Sequence, residues 1–98
     1  MLERLFGPRI PLSATILGVV GGRMVQWRGT VRLRPGATVR DGLQAAGRAA
    51  RVDLLAALAD GAEPSILLNG ARLTLPDGLA APVDHGATLT WLMPMAGG

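Results

Sequence analysis

Apolar and polar positions divide this chain into short segments of two periods. Ala14–Val20 (Ala-Thr-Ile-Leu-Gly-Val-Val) is apolar and rich in β-branched residues, which predicts a buried strand. Gly21-Gly22 follows as a two-residue hairpin turn. From Met24 to Arg34 the pattern alternates. Val25, Trp27, Gly29, Val31 and Leu33 form one face, and Gln26, Arg28, Thr30, Arg32 and Arg34 the other, as in a strand with one wet face. A shorter hairpin turning at Arg28-Gly29 is the alternative. Pro35-Gly36 ends that segment, and the period changes. Val39, Leu43, Ala46 and Ala50 recur every three or four residues behind Thr38, a good N-cap, with Asp41 in the first turn. A helix is predicted from Val39 to Ala50, its small Ala/Gly face suited to close packing on a sheet.

The second half is more punctuated. Val52–Ala59, with Leu54, Leu55 and Leu58, predicts a short second helix, ended by Asp60-Gly61 and kept from continuing by Pro64. Ser65–Leu68 reads as a short buried strand, Asn69-Gly70 as a strong hairpin turn, and Ala71–Leu75 as the returning strand. Pro76-Asp77-Gly78 is a turn, Leu79–Val83 is irregular, and Asp84-His85-Gly86 is another turn. Thr88–Met93 is the last strand, with Leu89, Trp91 and Met93 facing the core. Leu92, on the other face, and Met95 beyond the strand are contact candidates. Trp27 and Trp91 are both read as packing residues. At the other end, Met1–Pro11 carries two prolines and a small Leu2, Leu5, Phe6 cluster, either loose or packed on a sheet edge.

Composition narrows the function classes. Ninety-eight residues, 49% hydrophobic and 17% charged, make one globular domain with a modest core. Without cysteine there are no disulfides, thiolate metal sites or Cys nucleophiles. His85 is the only histidine and falls in a turn, so it is read as a solvated loop residue and not as a metal ligand. The net charge is +3 and the pI about 11.4, with ten arginines and no lysine. The arginines are scattered, Tyr is absent and aromatics are 3%, which argues against nucleic-acid binding. The N-terminus lacks a signal-peptide pattern, and the run Ile10–Val20 is too short to span a membrane. A cytoplasmic protein is expected.

The remaining feature is the end, Met93-Pro94-Met95-Ala96-Gly97-Gly98. Gly97 and Gly98 have no side chains, so chemistry there belongs to the backbone or to a free α-carboxylate, ionised at neutral pH. A frayed glycine tail is the plain alternative. The order strand, strand, helix, strand, short strand, strand gives an α+β domain. Its first and last strands are expected as parallel central neighbours, joined by the helical crossover. This is a β-grasp arrangement, a mixed four- to five-stranded sheet wrapped on one main helix plus a short second one. The expected limits are an extension over 1–12, the domain over 13–93 and a tail over 94–98.

Three motifs in this frame resemble the ubiquitin-like sulfur carriers. These include the small subunit of molybdopterin synthase and the carriers of thiamine biosynthesis and of an alternative cysteine pathway. Pro35-Gly36-Ala37-Thr38-Val39-Arg40-Asp41-Gly42-Leu43 is similar to the family's strand-to-helix junction. Leu67-Leu68-Asn69-Gly70 is similar to its third strand and turn, and the run from His85 to Gly98 to its last strand and tail. The resemblance covers about Ala14 to Gly98. Family members commonly have Asp where Ala87 stands, and the Met1–Pro11 extension and Arg51–Pro64 insert are longer than the minimal pattern.

The resemblance implies a carrier, not an enzyme. The Gly98 carboxylate is adenylated with ATP by a ubiquitin-activating-type adenylyltransferase. A sulfur donor converts it to a thiocarboxylate, and a sulfur-accepting synthase takes the sulfur. The carrier itself binds no cofactor and no metal and has no catalytic residue. Gly97 and Ala96 give the tail access to a narrow channel, and Leu92, Pro94 and Met95 dock partners. The five residues from Pro94 to Gly98 reach about 16–18 Å when extended. Two other readings stand beside this one. The first is a protein modifier conjugated through Gly98, which with no lysine could not chain onto itself; the second is a β-grasp binding module with an incidental tail.

Overall fold

A computed structural model describes residues 9–93. The expectations for residues 1–8 and for the tail, 94–98, lie outside that range. The described chain forms β1 (Ile10–Val20), β2 (Arg23–Leu33), α1 (Val39–Ala50), α2 (Leu54–Ala59), β3 (Ser65–Leu68) and β4 (Ala71–Arg72). A 3-10 turn (Asp77–Ala80) and β5 (Ala87–Leu92) complete it. The strands make one mixed sheet in the order β2-β1-β5-β3-β4. The central pair β1–β5 is parallel, from Leu12 beside Ala87 to Leu17 beside Leu92, and the other pairings are antiparallel. This is the ubiquitin-like β-grasp fold.

The long hairpin follows from its turn. Gly21 and Gly22 both take positive φ, 57° and 79°, as a two-residue turn between right-twisted strands requires. β2 runs unbroken through Arg28-Gly29, so the shorter hairpin does not form. At Gly29 an added Cβ would lie 2.7 Å from the Trp27 ring, so the indole, half-buried on the inner face, covers the glycine. β1 starts at Ile10, not Ala14, and the expected extension over 1–12 therefore gives up Ile10 to Leu12 to the sheet. Leu12 is fully buried. Pro11 is tolerated because the hairpin register turns its nitrogen toward the β5 side, one residue before that ladder begins. Its carbonyl accepts from the Gly86 N–H at 3.0 Å.

α1 has the expected bounds. Thr38 Oγ1 accepts from the Asp41 N–H, and Asp41 Oδ2 accepts from the Thr38 N–H at 2.9 Å, a reciprocal capping box. Val39, Gly42, Leu43, Ala46 and Gly47 are buried. A Cβ on Gly42 would meet Leu12 Cδ2 at 2.8 Å and Leu89 Cδ2 at 3.1 Å, so the glycine sets how closely helix and sheet approach. α2 begins two residues later than expected. Asp53 is its N-cap, accepting from the Ala56 N–H at 2.9 Å, which leaves Val52 outside the helix.

The expected strand Ala71–Leu75 shortens to Ala71–Arg72. It pairs with Leu67 and Leu68 alone, half of β3, because the chain turns away from the sheet where the Gly78 N–H bonds the Thr74 carbonyl at 2.7 Å. Leu73 makes one more bond, to the Ile66 carbonyl at 2.8 Å, and the chain then folds back with Gly78 against Leu73. The segment expected to be irregular starts with the 3-10 turn. It is pinned to the start of α1 by Val39 N–H to the Ala81 carbonyl and Val83 N–H to the Ala37 carbonyl, both 2.9 Å. β5 sits one residue earlier than expected, because Ala87 faces inward beside Leu12 and is buried.

Candidate functional site

The site is built where β5 ends. Leu89 and Trp91 face inward, each 1% exposed, and anchor the strand in the core. Trp91 carries a cost, since its buried indole N–H has no hydrogen-bond partner among the described residues. Met93, expected in the core, is half-buried and packs against it. Its N–H donates to the Leu17 carbonyl at 2.9 Å, continuing the β1–β5 pairing past the formal end of the strand.

Gly18 shapes this exit, and the sequence reading missed it. Its φ is +126°, and a Cβ there would lie 2.5 Å from Met93 Cβ and 2.6 Å from the Met93 carbonyl oxygen. Only a glycine lets the backbone at Met93 lie this close. The signal was present as a lone Gly inside a β-branched run, which marks close approach by another backbone.

The outer face of the sheet beside this exit is apolar. Leu92 is 36% exposed, and its register partner Leu17 is 40% exposed. Val19 and Met24, paired across the hairpin, are each 45% exposed. Alternation puts all four on one face, so β5 ends at the border of an apolar patch. Leu17, Val19 and Met24 were not singled out from sequence. The sign was an apolar residue at every position of Ile16–Val20 except Gly18, in excess of what one buried face uses. Patches of this kind mark interaction surfaces more often than chance.

The other end of β5 is fixed by the Asn-Gly turn. Asn69 takes positive φ, 53°, its side chain accepts from the Thr88 N–H at 2.9 Å, and its N–H donates to the Thr88 carbonyl at 2.8 Å. Asn69 therefore holds β5 as well as turning the chain. His85 is exposed in its turn, as expected. Among the described residues no cluster of His, Cys, Asp or Glu could hold a metal ion, and no helix is long and apolar enough to cross a membrane. Of the expected site residues, Leu92 is placed; Pro94, Met95, Ala96, Gly97 and Gly98 lie outside the described range.

No family model and no curated relative matches this sequence. Solved structures do. SAMP1 from Haloferax volcanii superposes with a TM-score of 0.63 at 23% identity, over 90% of this chain and 99% of that one. The HVO 2177 protein, also from Haloferax volcanii, superposes with a TM-score of 0.61 at 26% identity, over 92% of this chain and 88% of that one. These likenesses span nearly the whole chain and support the same fold.

Proposed function

We propose that this chain is a sulfur carrier of the ubiquitin-like type, a substrate protein and not an enzyme, with Gly98 as the reacting residue. The observation that carries the reading is the exit at Met93. The chain leaves a central, core-anchored strand beside an apolar patch, and the tail sequence Pro94-Met95-Ala96-Gly97-Gly98 follows at once. The near full-length likeness to SAMP1 supports it, as do the three sequence motifs that resemble the sulfur carriers.

The chemistry requires that Gly98 carry the free α-carboxylate in the working protein. A carboxylate oxygen attacks the α-phosphate of ATP in a separate adenylyltransferase, and pyrophosphate leaves. The acyl-adenylate turns an inert carboxylate into an acyl donor. A hydrosulfide-level nucleophile from the sulfur donor then adds to the carbonyl carbon and expels AMP, which leaves a thiocarboxylate. A sulfur-accepting synthase consumes it. The carrier holds no cofactor of its own. ATP is bound by its activating enzyme, which places the process in the cytoplasm. Two residues without Cβ atoms, Gly97 and Gly98, let the terminus thread a narrow channel. Leu92, Pro94 and Met95, together with Leu17, form the grip outside it.

Exchange of labelled pyrophosphate into ATP tests this with the host's adenylyltransferase and the untagged chain. Exchange should depend on the chain and vanish when Gly98 is removed. Undiminished exchange without Gly98 contradicts the proposal. Lysine-linked Gly98 on other host proteins, with no thiocarboxylate, would favour the modifier reading.

A further inference from the structure

The arginines run along much of the chain, but its carboxylates are unevenly placed. Between Glu3 and Asp41 there is no carboxylate, while Arg4, Arg9, Arg23, Arg28, Arg32, Arg34 and Arg40 all fall in that interval. The β1–β2 hairpin carries Arg23, Arg28 and Arg32 and no acid. Among the described residues β2 is also an edge strand, paired with β1 alone, over 11 residues. A long edge of this kind presents a row of unpaired backbone groups.

The hairpin register says which groups these are. A two-residue turn makes Val20 and Arg23 the first mutually hydrogen-bonded pair, and such pairs recur at every second residue. Val25, Trp27, Gly29, Val31 and Leu33 are therefore bonded to β1. Met24, Gln26, Arg28, Thr30 and Arg32 direct their N–H and C=O groups to the free edge. Arg28 and Arg32 are exposed on the outer sheet face. Past the end of β2, Arg34 joins Arg9 and Arg48 of α1 around a groove between strand and helix. Asp41 also lines that groove, but its carboxylate is held by the Thr38 N–H and hydroxyl at 2.9 and 3.1 Å.

We propose that the free edge of β2, from Met24 to Arg32, is a strand-addition site for an extended, acidic segment of a partner protein. A peptide strand offers alternating donors and acceptors that match this edge, whereas a nucleic-acid backbone offers phosphate acceptors alone. Side chains on one side of the added strand lie beside Arg28 and Arg32, and the end next to Leu33 reaches Arg34 and Arg48. Acidic residues there satisfy the charge, and affinity comes from the main chain. β2 is separated from β5 by β1, so the added strand leaves the Met93 exit open. The site serves a second partner independently of the proposed carrier role.

The test uses the isotopically labelled chain and a short synthetic peptide alternating Val with Glu, followed by amide NMR. Amide shifts should concentrate at Met24, Gln26, Arg28, Thr30 and Arg32, and their hydrogen exchange should slow. Binding should weaken as salt rises. The charge reversal R28E/R32E should lose roughly tenfold or more in affinity. Thr30→Pro removes one edge N–H and leaves the arginines in place. Because the Ser13–Thr30 pair is not hydrogen-bonded, it costs no ladder bond, and it should abolish binding while the hairpin signals persist. Equal binding of a Val–Lys peptide overturns the proposal. So does full affinity in Thr30→Pro, tighter binding of a single-stranded oligothymidylate at these amides, or no shift at any peptide concentration, which would leave the arginines as a guard against edge-to-edge association.

Discussion

At the scale of single residues, Gly18 decides where the chain leaves the sheet. Gly18→Val would drive a branched side chain into Met93 Cβ and its carbonyl and force φ away from +126°. The expected cost is about 1–3 kcal/mol in denaturant unfolding. Pyrophosphate exchange should fall further than that loss of folded protein explains, because Met93, from which the tail sequence continues, is displaced. Gly42 has a different role: its missing Cβ lets α1 approach Leu12 and Leu89. The sequence gives both glycines the same letter. Gly42 was legible as part of a small helical face, because its neighbours repeat with helical period. Gly18 was not, because its neighbour is 75 residues away and the contact exists only once β5 lies beside β1.

Among the elements, legibility followed local chemistry. Thr38, Asp41 and the preceding Pro35-Gly36 specify the start of α1 within a few residues of one another, and its observed bounds match. Thr38→Ala removes one half of the capping box. It should lower unfolding free energy by about 1 kcal/mol, read as a lower denaturant midpoint at unchanged slope. No change in midpoint would mean that the 81–83 segment, bonded to Ala37 and Val39, holds the helix start alone. The strands were less legible at their ends. β1 extends through Pro11 because the parallel ladder has not yet begun there, and β4 stops early because the Thr74–Gly78 turn draws the chain away while half of β3 is still unpaired with it. Both limits are set by tertiary partners and not by the propensity of the residues themselves.

For the whole molecule, the fold brings two distant segments together. β1 and β5 are far apart in sequence, parallel and adjacent, and their side-by-side ends place Leu17 and Leu92 together on the outer face. The sequence identified Leu92 by alternation, but the patch required the sheet order. The double variant Leu17→Asp, Leu92→Asp sets two like charges side by side on the central strands, so it should cost about 1–2 kcal/mol, and exchange is compared at equal folded protein. Pyrophosphate exchange should nonetheless fall roughly tenfold or more at fixed enzyme concentration, since apolar contact area is replaced by buried charge. Exchange equal to that of the unaltered chain would remove the patch from the activating interface.

The sulfur-carrier role is decided by intact mass measurement on untagged protein from its native host. A population heavier by one oxygen-for-sulfur exchange is expected. Fragmentation should place that increment on Gly98, and the population should disappear when the host's adenylyltransferase is deleted. A single species at the unmodified mass under conditions of active sulfur transfer, or an increment located anywhere but Gly98, would contradict it.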